Sequence, residues 1–282
     1  SPTVWTTTRR LCASFSTPRG QGVNIMAMKY EAEVGRRRIL GGIAVLGLGA
    51  AATGCTIQQG PAEAEARESG PSSQYIFGYG SLIQKESREE TWPKAGKCFP
   101  VSVKGITRGW YDRVDTVSWG PTYLGAFPDR GATCNGVIFQ VAQDELKVFA
   151  DREKGYKLLR IPPRDITMLD GRSAPPPGTF WYFGSTSRRY VSEEFPLVQS
   201  YVDVCVSGCL EVEEEFPASR AAKFAQKFFT GTTDWKTPWI NDRIYPWRPF
   251  VHVPQANRID TLIRDQLGEE MFRSISLPGA GT

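Results

Sequence analysis

The stretch Tyr75–Ile83, YIFGYGSLI, constrains the fold more than any other part of the chain. Apolar and aromatic residues run into Gly-Tyr-Gly-Ser, and the first charge is Lys85. The run Tyr75–Tyr79 predicts a short buried strand. Gly78 and Gly80 predict a tight turn at its end, because glycine accepts φ > 0 and close backbone approach. Such a turn aims successive N–H groups at one point and makes a small anion-binding nest, suited to a carboxylate. A plain glycine turn without a ligand is the competing reading.

The residues that follow are rich in short strands. Phe99–Val117 alternates through Val101, Val103, Ile106, Trp110 and Val114, with Gly105 and Gly109 as bends or bulges. Tyr123–Phe127 and Cys134–Val141 predict two more strands, joined by a turn at Pro128-Asp129-Arg130-Gly131. Thr179–Gly184 predicts a buried aromatic strand. Helices are expected at Asp144–Ala150, Leu197–Glu213, Arg220–Phe229 and Asn257–Leu267. The closely spaced strands point to an α+β fold, with a small curled, barrel-like sheet of mixed or antiparallel strands and flanking helices.

Charge divides the chain. Residues 1–55 hold seven of the 34 Lys and Arg but only two of the 30 acids, so the remainder is close to neutral. That argues against nucleic acid as a partner, since polyanion binding needs a concentrated basic face. Residues 1–30 have no Asp or Glu and are rich in Ser, Thr and Arg, as organellar transit peptides are. Met26 and Met28 are candidate start sites. Three arginines (Arg36, Arg37, Arg38) then precede an uncharged run, Ile39–Gly54, too short and weakly apolar to span a bilayer but suited to an export signal of twin-arginine type. The run ends in a lipobox-like Ala-Thr-Gly-Cys55, which makes Cys55 a candidate lipidated membrane tether; Ala62–Ala66 is a competing cleavage site. Two destinations stay open, the bacterial envelope as a lipoprotein and the thylakoid lumen. The expected organisation is a targeting signal at 1–55, a flexible linker at 56–73, a folded domain at 74–235 and a C-terminal extension at 236–282.

Several chemistries lack their apparatus. There is one histidine, His252, so no Ser-His-Asp triad is expected. The cysteines of the folded part, Cys98, Cys134, Cys205 and Cys209, have no zinc-ligand spacing. Cys205 and Cys209 read as small apolar core residues of one helix, and Cys98–Cys134 as a candidate disulfide. No phosphate-binding G-x-x-x-x-G-K-[ST] loop appears.

A second motif lies about seventy residues beyond the first: Glu153-Lys154-Gly155-Tyr156, just after the helix-like run. FGYGSL followed by E-x-G-Y resembles the γ-glutamylcyclotransferase-like family, over roughly Gln74 to Trp235. The resemblance implies a small-molecule γ-glutamyl substrate, with Glu153 as general acid and base. It places Gly78, Tyr79, Gly80, Ser81, Leu82, Ile83 and Tyr156 around the substrate, and requires neither cofactor nor metal. Without the resemblance, Glu153 reads as an exposed acid in the charged run Asp151-Arg152-Glu153-Lys154, with Asp151 as a nearby surface acid. The alternative to an enzyme is a cyclotransferase-like domain that has lost catalysis and serves as a binding module or subunit of an envelope or thylakoid complex.

Overall fold

The first strand forms where the apolar run predicts it. The computed structural model describes residues 73–113, 118–146, 156–247 and 255–278, and in it β1 spans Gln74–Gly78 with every residue buried. Burial on both faces follows from its central place. β1 pairs antiparallel with β3 (Tyr123–Val141) and parallel with β6 (Thr179–Ser185). β2 (Cys98–Asp112) forms a long antiparallel ladder with β3. The outer strands are β4 (Tyr156–Ile161), against β6, and β5 (Ile166–Met168), against β2; the two-residue β8 (Thr232–Thr233) also joins β2. The order is β4-β6-β1-β3-β2-β5 in a seven-stranded mixed sheet.

The α+β class, the mixed curled sheet and its flanking helices are as expected, and the sheet is not closed into a barrel. β4 and β5 end the row and do not pair with each other. β5 is only three residues long, and the chain then leaves through Gly171, at φ 93°, before it returns as β6.

The curl has a local cause. The β2–β3 register jumps from Lys104↔Thr133 to Ile106↔Pro128, so Gly105 alone faces residues 129–132. Gly105 sits at φ 86°, a conformation that favours glycine. The predicted Pro128–Gly131 turn is therefore a solvent-exposed bulge inside one long strand, with Asp129 Oδ1 accepting from Gly131 N at 3.0 Å. Bulges bend and twist a strand. Here the bend carries the outer halves of β2 and β3 back over the end of β1.

One helix fills the concave side. α1 (Lys85–Thr91) is short and peripheral, whereas α2 (Gln199–Glu215) is buried on all sides through Leu210. The predicted periodic face of α2 lies on the sheet, with Cys205 and Cys209 fully buried. Its other side is covered by the C-terminal extension. β9 (Trp239–Ile240) pairs parallel with β7 (Leu197–Val198), and Asp242 accepts from Ser200 N and Ser200 Oγ at 2.7 and 2.6 Å. That carboxylate sits at the N-terminus of α2, where the unpaired N–H groups favour an anion. Arg243 forms a two-pronged pair with buried Asp203 at 2.8 Å, and also reaches Asp260.

The predicted helix at Arg220–Phe229 is broken in two. α3 (Pro217–Ala221) and α4 (Phe224–Thr230) meet at Lys223, which is left-handed at φ 56°. The break lets Glu213 of α2 accept from Ala225 N at 2.9 Å and turns Phe224 and Phe228 into the core. The predicted Asn257–Leu267 helix is α5 (Ala256–Leu267), followed by α6 (Glu269–Arg273); Ile259 and Ile263 of α5 reach the core.

All four described cysteines are free, so the expected Cys98–Cys134 disulfide is absent. Register explains it. Cys98 lies opposite Phe139 while Cys134 lies opposite Val103, five positions apart on the ladder, a separation of about 16 Å along the strand.

The core also encloses a cation. Arg108 of β2 is fully buried, and its five N–H groups all find oxygens. Nε donates to Thr232 Oγ1 (2.7 Å), Nη1 to Tyr79 O (2.9 Å) and Asn135 O (2.8 Å), and Nη2 to Asn135 Oδ1 (3.0 Å) and Phe228 O (2.9 Å). The guanidinium also lies 4.2 Å from the Phe228 ring centroid. Arg108→Met would leave these acceptors unpaired in the core. It should cost about 3–5 kcal/mol, read as a lowered urea midpoint in equilibrium unfolding.

Candidate active site

The glycine motif forms a different turn from the one expected. Neither Gly78 nor Gly80 has positive φ; Gly80 is at φ −131° and introduces a single 3₁₀ turn, Ser81–Ile83. Ile83 N donates to Gly80 O at 3.0 Å, and no side chain caps the turn. The start of such a turn leaves its first N–H groups, here Ser81 and Leu82, without a partner inside it. The amides therefore belong to a helical N-terminus, not to an alternating left- and right-handed nest. Ile83 has neither group to spare, because its N–H is used and its side chain is in the core.

Close packing, not backbone conformation, explains Gly78: a Cβ there would lie 2.8 Å from Leu82 Cβ. The turn is held from three sides. Arg88 Nη1 donates to Leu82 O and Ile83 O at 3.0 and 2.9 Å. Glu211 of α2 accepts from Gln84 Nε2 and Lys85 N at 3.0 and 2.9 Å. Gly208 of α2 lets the helix touch the Gln84 backbone, where any Cβ would collide. Tyr201 of α2 and Leu124 of β3 lie against Gly80. Tyr201 in turn meets Tyr123 edge-on, and Trp247 from the C-terminal extension donates to Tyr123 Oη at 3.1 Å.

The second motif enters the sheet at the same end. Tyr156 is the first residue of β4 and pairs with Ser185, the last residue of β6. β6 runs parallel to β1 and ends beside the turn, where Tyr79 Oη donates to Phe183 O at 2.7 Å. In the order β4-β6-β1, Tyr156 and the Gly80 turn are two strand spacings apart, about 10 Å. Glu153, with Asp151, lies outside the described residues.

The structure adds an acid that the sequence reading missed. Asp112, at the end of β2, is carried over β6 by the curl. Ser185 Oγ donates to Asp112 Oδ2 at 2.6 Å, and Arg113 N donates to Oδ1 at 2.8 Å. Gly125 makes the room, since a Cβ there would lie 2.5 Å from Ser185 Oγ. Burial pushes the Asp112 carboxyl above its ordinary range despite these donors. Burial also pushes the Tyr79 phenol well up, and the Asp112 charge adds to that. In sequence, Asp112 is one acid after Trp110-Tyr111, and nothing separates it from a surface charge.

An open cavity of about 310 Å³ lies behind the turn, lined by Ile83, Gln84, Arg88 and Cys98 together with glutamates that include Glu211 and Glu215. Its acidic wall opposes an anionic ligand group, so it does not compete with the N–H end of the turn.

Neither a family model nor a curated protein sequence matches the chain. Similar solved structures include a gamma-glutamyl cyclotransferase, with 16% identity and a TM-score of 0.41 over 54% of this chain and 86% of that one. A glutathione-specific gamma-glutamyl cyclotransferase from yeast is similar over 56% of this chain and 97% of that one, with 13% identity and a TM-score of 0.31.

Asp112 makes stability depend on pH. Its folded pKa is raised, so its contribution is complete below the unfolded value of about 3.9 and is lost as pH rises through the folded value. Asp112→Asn has no carboxyl to ionise there. The stability difference between this variant and wild type, from urea unfolding, should therefore move in the variant's favour between about pH 3 and pH 7.

Proposed function

We propose that the chain is an enzyme of γ-glutamylcyclotransferase type, which cyclises γ-glutamyl amines or peptides and releases 5-oxoproline with a free amine. The observation that carries this reading is that the Ser81–Ile83 turn, whose first N–H groups have no partner inside it, and Tyr156 lie at one end of the sheet, two strands apart. Chain connectivity keeps an acid three residues before Tyr156 within about 11 Å of it.

The chemistry needs little more. The turn's N–H groups hold the substrate α-carboxylate. The substrate's own α-amine then attacks its γ-carbonyl, a five-membered lactam forms, and the C–N bond to the leaving amine breaks. The attack is intramolecular, so orientation supplies much of the acceleration. Glu153 takes a proton from the α-ammonium and returns one to the departing amine. Glutathione and γ-glutamyl dipeptides are the substrates to try first.

Glu153→Gln should fold as wild type does by circular dichroism, and should lower 5-oxoproline release by about 10²-fold or more, followed by mass spectrometry over a γ-glutamyl panel. Undiminished turnover in this variant would remove Glu153 from the mechanism. A wild-type protein that forms no lactam from any member of the panel would sink the enzymatic reading and favour the binding-module alternative.

A further inference from the structure

Where α2, the α3–α4 junction and α5 come together, the surface opens into a second cavity of about 310 Å³. Its lining includes three cations, Arg220, Lys223 and Arg258, and one carboxylate, Glu213. We propose that this cavity binds the phosphoryl group of a phosphate monoester, and that the bound group ties the C-terminal extension to the domain. No residue of the glycine turn lines it, so the site stands apart from the cyclotransferase reading.

The charge balance favours an anion. Glu213 is buried and already engaged: Oε1 accepts from Ala225 N at 2.9 Å, and Oε2 lies 3.8 Å from Arg258 Nη2. Arg258 also donates through Nη1 to Glu214 Oε1 at 3.0 Å. Arg220 and Lys223 have no such acid. Arg220 Nε donates to the Glu213 backbone oxygen at 3.1 Å, which anchors the guanidinium and leaves Nη1 and Nη2 without a partner among the described residues. The Lys223 side chain has no hydrogen bond or ion pair among them either. Uncompensated cations in a concave site focus a positive field there. The backbone adds an independent sign. Lys223 is left-handed, at φ 56° and ψ 54°, a conformation in which its Cβ is strained and which Gly or Asn adopts more readily. Residues held in such conformations cluster at ligand clamps. What lysine supplies here, and Gly or Asn would not, is a charge with three donors at the cavity wall.

The arrangement of donors selects the ligand. Arg220 comes from α3, Lys223 from the junction, Gln226 from α4 and Arg258 from α5. A carboxylate presents its two oxygens in one plane, whereas a phosphoryl group presents three in different directions. The arginine fork and the lysine point charge both suit phosphate oxygens. Leu210 of α2 and Leu262 of α5 give apolar lining for the carbon part of a monoester. Arg258 belongs to the C-terminal extension, and Arg220 and Lys223 to the domain. One anion held between them links the two.

Thermal unfolding of the full chain tests the site, with inorganic phosphate as the probe and chloride at equal ionic strength as the reference. Phosphate in tenfold excess over its dissociation constant should raise the midpoint by about 3–5 °C. Lys223→Asn accepts the left-handed backbone without the charge and should remove most of that shift, as should Arg220→Gln. Lys223→Arg should keep it. Lys227→Gln removes an exposed charge of α4 outside the cavity and should leave the shift as it is. Hydrogen exchange followed by mass spectrometry reads the tie: phosphate should slow the amides of 256–267 in the wild type and not in Lys223→Asn. An equal midpoint rise in chloride, or an equal loss in Lys227→Gln and Lys223→Asn, would overturn the site and leave only general screening. An equal rise with succinate would overturn the phosphoryl assignment. Exchange over 256–267 that ignores phosphate would overturn the tie to the extension.

Discussion

The guanidinium of Arg108 ties together parts of the fold that are far apart in sequence. It bonds the carbonyl that precedes the glycine turn, the backbone and side chain of Asn135 on β3, the end of α4 at Phe228, and Thr232 of β8. No carboxylate is among these partners. A buried charge is costly unless its donors are all used, and here carbonyl, amide and hydroxyl oxygens use all five. The arrangement fixes Tyr79 O, and with it the direction in which the next N–H groups point. Asn135 extends the tie, because its Nδ2 donates to Phe224 O at 2.8 Å. The turn is thus aimed by the core, not by its own glycines.

The curl of the sheet does the rest. A flat sheet with this strand order would leave Asp112, at the end of β2, three strands away from β6. The bulge opposite Gly105 bends β2 and β3 so that Asp112 and Ser185 touch. The concave side then needs a filler, and α2 is buried nearly all round. That demands a cover for its outer side, which the C-terminal extension supplies through Trp239, Ile259 and Ile263. Asp203 shows the dependence: a fully buried acid on α2 is tolerated because Arg243 of the extension meets it with two bonds.

Much of this was legible in the residues, and the misses share a cause. β1, β6, α2 and α5 follow from apolar runs and three- and four-residue spacing, because their faces pack as that spacing implies. The glycine turn was located correctly but given the wrong backbone, since glycine marks close approach as readily as positive φ, and Leu82 crowds Gly78. The Pro128–Gly131 turn became a bulge because whether two strands separate or stay aligned depends on what pairs across from them. The Cys98–Cys134 pairing ignored register, which two isolated strands do not carry. Asp112 had no local signal at all.

By itself the sequence determined the strand-rich α+β character, the place of the turn, the central helix and the order of the two motifs, because each depends on the side chains of neighbouring positions. Only the tertiary structure decided that the sheet stays open, that the C-terminal extension completes the core, and that Ser185 bonds to Asp112. Those outcomes depend on which surfaces meet across tens of residues, and the physics of such contacts is set by geometry that no local pattern encodes.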